Sequence, residues 1–162
     1  MVLVARSVEG LQKTKAEIES TAPGIGVHLV PADLKDLGSL HRVFSQCVEK
    51  ADSSRHQQFL IVNNAGGIGD ITRPMIEQTD PAPIQEQIGL DFTSMSVLTS
   101  LFLSHFTKRQ RKVVHISSLM AKVFLPSFGL YSATRAARNA LMGVLAVENP
   151  EVRFLTYTPG EY

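Results

Sequence analysis

The sequence has no tryptophan, a single cysteine and no surplus of either charge. With Cys47 alone there is no internal disulfide and no cysteine-rich metal site. In L-H-R-V-F-S-Q-C-V it reads as a small packing residue on a helix. Sixteen Lys and Arg against fifteen Asp and Glu give a formal charge of +1, which points to neither nucleic acid nor an anionic membrane as a partner. The one basic cluster, Lys108 to Lys112, reads as a solvated loop between a helix and a strand. No apolar run reaches the roughly 18 residues of a membrane span, and no charged segment followed by an apolar one suggests a signal peptide, so a cytoplasmic location is expected. His28, His41, His56, His105 and His115 lack metal-ligand spacing, and no metal is expected. His115, inside an apolar run, reads as a satisfied core residue.

What is present is enough for one domain: 162 residues, 44% of them hydrophobic, can bury a real core. Residues 1–5 form an apolar strand, and Val8, Leu11, Lys15 and Ile18 follow at helical spacing. A second strand covers 27–31 and a second helix 39–48. Phe59 to Val62 is a continuous apolar run, expected to be buried on both faces of a parallel sheet. Residues 68–83 read as a surface loop, and 84–106 as one long helix apolar on more than one side. A strand from Val113, a helix over 131–148 and a strand over 152–157 complete the chain, with Pro159-Gly160 turning it out. Strict β-α alternation predicts an α/β fold: a Rossmann-like, doubly wound parallel sheet with right-handed crossovers.

The chemistry concentrates between Val113 and Arg135. A strand ending in Ser117 and Ser118 delivers hydroxyls to the carboxyl edge of the sheet, where open α/β sheets place ligands. Tyr131 opens the next helix, and Arg135 lies one turn further on the same face. A phenol, with a pKa of about 10, needs a nearby cation to work as an acid or base at neutral pH, and Arg135 could supply it. Asn63 to Gly66, N-N-A-G, follows a buried strand and is read either as a turn or as a cofactor loop. Arg6 after the first strand is either a surface charge or, in a dinucleotide fold, a fork for a 2′-phosphate. Asp33 is either the cap of a helical turn or a contact to adenine.

N-N-A-G, then S-S with Y-x-x-x-R thirteen residues after the second serine, then P-G after the next strand, resemble the short-chain dehydrogenase/reductase family. Within it, V-P-A-D-L, N-N-A-G-G-I-G-D, L-D-F-T-S-M, H-I-S-S-L and Y-T-P-G look most like the branch that reduces side-chain carbonyls of a pterin. The resemblance implies NADP as cofactor, a pterin or other small carbonyl as substrate, and a homodimer through helices 84–106 and 131–148. It implies Tyr131 as acid, Ser118 as the group that orients the carbonyl, and Arg135 beside the phenol and the nicotinamide ribose. Arg6, Asp33, Leu34, Asn64, Ala65, Gly66, Pro159 and Gly160 would line the cofactor.

Against the family pattern, the chain starts at the second strand, so the first strand and its T-G-x-x-x-G-x-G loop are absent, as is the C-terminal segment. Residues 1–162 are expected to form a single incomplete domain, with a gap of roughly two strand spacings in its sheet. Arg135 stands for the family lysine and Asp91 for an asparagine. Two further readings follow: a catalytically inactive, dimerising remnant, and a reductase for another small carbonyl.

Overall fold

The computed structural model describes residues 1–52, 54 and 56–159, which fall into two compact units, 1–56 and 57–162. In the N-terminal unit, β1 (Val2–Ala5) and β2 (His28–Pro31) pair in parallel, from Val2 opposite His28 to Ala5 opposite Pro31. α1 (Val8–Thr21) makes the crossover and starts where the Ser7 hydroxyl accepts the Gly10 N–H at 2.9 Å. After β2 a 3-10 turn leads into α2 (Leu40–Lys50). Leu11, Val27, Val30, Leu34, Leu40 and Val43 form the core of this unit.

The C-terminal unit holds a three-stranded parallel sheet in the order β3 (Gln58–Asn63), β4 (Gln110–Ile116), β5 (Arg153–Tyr157). Its crossovers are α3 (Pro81–Ile88) with α4 (Ser94–His105), and α5 (Gly129–Glu148). Both step across the sheet in the same direction, and right-handed connections therefore lay their helices on one face. That explains a departure from the expectation for Phe59 to Val62. Phe59 is buried, but Leu60 and Val62 are exposed, as are Leu155 and Tyr157 on the same face. The opposite face carries Phe59, Asn63, Arg111, Val113 and His115, all buried.

Two other expectations change. Residues 84–106 are not one regular helix: α3 starts at Pro81, capped by Asp80, and a π-helical turn over Gly89–Thr93 separates it from α4. Ser94 and Ser96 donate their hydroxyls to the carbonyls of Leu90 and Phe92 in that turn. The basic run 108–112 is not a loop throughout, because β4 begins at Gln110 and its alternation turns Arg111 inward. Arg111 donates to the carbonyl of Leu103 at 2.7 Å and pairs with Glu151.

Candidate active site

Each strand of the C-terminal unit ends in a segment that carries predicted site residues. After β3 the chain runs through Asn64, Ala65 and Gly66, all exposed. After β4, Ser117 turns inward and donates its hydroxyl to Asn139 at 2.7 Å, so it ties the strand end to α5. Ser118 instead caps the 3-10 turn Leu119–Ala121, its oxygen accepting the Met120 N–H at 3.2 Å, and that turn packs against α5. The Ser118 O–H thereby remains a donor. Tyr131 sits in the first turn of α5, its ring edge-on to Phe128 at 6.2 Å. Pro159 follows β5, and Gly160 lies outside the described residues.

The i, i+4 relation of Tyr131 and Arg135 is realised: the guanidinium carbon lies 4.7 Å from the centroid of the phenol ring. Arg135 is buried, and among the described residues it pairs with the carboxylate of Asp91, at 4.0 Å. Asp91 has no exposed surface. Its Oδ1 accepts the Gly67 N–H at 2.9 Å, and its Oδ2 accepts from Gln87 at 2.6 Å and from the Thr134 hydroxyl at 3.1 Å. The loop after β3, α3 and α5 are thus joined through one carboxylate, which the π-helical turn presents.

Glycine is required at position 66 for a different reason from the one its motif suggests. A Cβ there would lie 2.5 Å from Nη2 of Arg135 and 2.9 Å from Oδ1 of Asp91. The carboxylate is fixed by three donors, so the strain falls on the guanidinium, which would have to leave its place between Asp91 and the Tyr131 ring. Gly66→Ala is expected to lower stability by about 1–3 kcal/mol, readable as a lower urea midpoint at unchanged slope.

Sequence reasoning missed Arg138. It is fully buried and donates to the carbonyls of Ala65 and Asn63, both at 3.0 Å, so α5 grips the backbone of the N-N-A-G loop. It also reaches Nδ1 of His115 at 3.3 Å, which leaves the proton of the neutral ring on Nε2. The available signal was its spacing, one turn beyond Arg135 on the same helix face. Burial, then the charge of Arg135, lowers the Arg138 pKa to about 10. Asn63 is held in turn by its amide, which donates to Thr99 at 2.9 Å.

His115 has its pKa pushed down to about 4, first by burial and then by the charges of Arg138 and Arg135. The folded value lies below the ordinary 6.5, so unfolding takes up a proton between these limits. Stability from this residue is present above about pH 6.5 and lost as pH falls toward 4, by up to about 3 kcal/mol. Urea midpoints should fall across that window, and His115→Asn should flatten the slope. An unchanged slope would contradict the assignment.

In the N-terminal unit, Arg6 is exposed at the end of β1. Asp33 accepts the Lys35 N–H at 3.0 Å, so it heads a turn, and Leu34 is buried beneath it.

The family profile described as short chain dehydrogenase matches residues 1–161, spanning both units. The chain belongs to the short-chain dehydrogenase family. Among curated relatives it is 37% identical to sepiapterin reductase of Bos taurus and 38% identical to that of Rattus norvegicus, over 99% of this chain. The chain spans 61% and 62% of those relatives' lengths. Among solved structures, a metagenomic short-chain oxidoreductase in complex with NADP superposes with a TM-score of 0.83 at 26% identity, covering 99% of this chain and 71% of that one.

Among the described residues, no helix is long and apolar enough to cross a membrane, and no group of three His, Cys, Asp or Glu could hold a metal ion.

Proposed function

We propose that the chain is an NADPH-dependent carbonyl reductase of the sepiapterin reductase type, acting on the side-chain carbonyl of a pterin in tetrahydrobiopterin synthesis. The observation that carries this reading is the buried guanidinium of Arg135 against the ring of Tyr131 on the helix that follows the serine-ended strand. When bound, the nicotinamide supplies a hydride to the carbonyl carbon. Tyr131 gives its phenolic proton to the carbonyl oxygen, and the adjacent positive charge favours the phenolate that is left. Ser118 donates its free O–H to the same oxygen and orients it.

The residues present suit a phosphorylated dinucleotide. Arg6 is an exposed fork with no ion pair among the described residues, a fit for a 2′-phosphate. The exposed segment Asn64 to Gly66, braced by Arg138, suits a cofactor that lies along it. Asp33, Leu34, Pro159 and Gly160 complete the proposed cofactor set by family resemblance. A cytoplasmic homodimer through α3–α4 and α5 belongs to the same proposal, supported by exposed Ile88, Val144 and Val147 on those helices.

Titration of the full chain with NADPH and NADH tests the cofactor directly. NADPH should bind more tightly, and Arg6→Ala should weaken NADPH by roughly tenfold or more while leaving NADH unchanged. Absence of binding by both would favour the inactive remnant. Binding of NADPH with turnover of a different small carbonyl, but not of a pterin, would favour the wider reductase reading.

A further inference from the structure

Arg135 and Asp91 are each departures from the family pattern, at positions well separated in sequence, and in the structure they meet. Arg135 lies against Asp91 on one side and against the Tyr131 ring on the other. The carboxylate is anchored by donors from three segments, whereas Nε of Arg135 has no hydrogen-bond partner. The anchored member therefore sets the place of the other. Two arginines, 135 and 138, are buried here, and Asp91 is the only carboxylate among their described side-chain partners. Without it two guanidinium charges would share one buried site with no counterion. Gly66 fits the same picture, because the space of its missing side chain is occupied by the two charged groups.

We infer that Asp91 is a positioning residue for Arg135, and that the two work as one exchangeable unit. The carboxylate fixes the guanidinium over the phenol of Tyr131, and the guanidinium neutralises the carboxylate, so neither residue serves without the other. A lysine in place of Arg135 could hold a charge but lacks the broad planar fork that reaches the ring and the carboxylate together. The inference rests on the reductase reading for its purpose, but its test needs no turnover.

The test is the NMR signal of the Arg135 Nε–H in the full chain, assigned by its loss in Arg135→Lys. A guanidinium held over an aromatic face feels the ring current, so this signal should lie upfield of the other arginine Nε–H signals and return toward them in Tyr131→Leu. In folded Asp91→Asn it should move to the position seen in Tyr131→Leu. An unchanged signal in folded Asp91→Asn would overturn the inference, because a residue that only stabilised the fold would leave the guanidinium in place. If Asp91→Asn does not fold, Asp91→Asn with Arg135→Gln should, with a higher urea midpoint than any folded fraction of the single variant, since the buried unpaired charge is gone. Failure of both variants to fold would also overturn it. A chain that never oxidises NADPH would defeat the reductase reading and leave these results interpretable.

Discussion

Asp91→Ala is expected to lower the stability of the protein by about 3–5 kcal/mol, the range for breaking a buried charge pair from one side. The size follows from the hydrogen bonds more than from the ion pair, whose 4.0 Å separation is long. Removing the carboxylate leaves the Gly67 N–H, the Gln87 amide and the Thr134 hydroxyl without their acceptor, and leaves Arg135 buried without a counterion. The Gln87 amide keeps the Gly67 carbonyl and the Thr134 hydroxyl keeps the Tyr131 carbonyl, so part of the loss is recovered. Arg135→Met also leaves a buried charge, the Asp91 carboxylate, without its paired cation, but it should cost less because that carboxylate retains all three hydrogen-bond donors. Urea unfolding of both variants measures the asymmetry. Equal losses would mean that the ion pair itself dominates.

The same carboxylate shows where sequence reasoning reaches its limit. Tyr131 and Arg135 are legible because four residues on one helix is a local relation that the helical repeat fixes. Ser118 is legible because a strand end has a fixed place in an α/β sheet. The pairing of Arg135 with Asp91 depends on how α3, the loop after β3 and α5 pack, which no local period encodes. The π-helical turn that presents Asp91 is equally silent, because an extra residue in one turn barely disturbs an apolar pattern. Arg111 could have been read better. Its alternation with Val113 and His115 places it on the buried face, although the composition of the run suggests solvent.

Gly66 and Arg138 carry a related lesson about motifs. The N-N-A-G pattern reads either as a turn or as a cofactor loop, and its residues Asn64 to Gly66 are exposed. Yet the space beside its glycine is taken up by the protein's own charged groups, and its carbonyls are held by an arginine from α5. The loop owes its shape to α5 as much as to its own residues. Element order, by contrast, follows directly from the alternation of apolar runs and helical periods, and the parallel pairing of β3, β4 and β5 agrees with it.

The reductase account stands or falls on the phenol of Tyr131. Phenylalanine at this position keeps the ring, its edge contact with Phe128 and the cation above it, and removes only the O–H. Stability should therefore hardly change, while loss of a positioned proton donor typically costs roughly 10²–10⁴-fold in rate. The decisive measurement is NADPH oxidation by the full chain with a carbonyl-bearing pterin, compared between the parent protein and Tyr131→Phe of matched urea midpoint. The account predicts turnover in the parent and a fall of roughly 10²-fold or more in kcat for the variant. Equal turnover in the two proteins, or none in the parent, would contradict it.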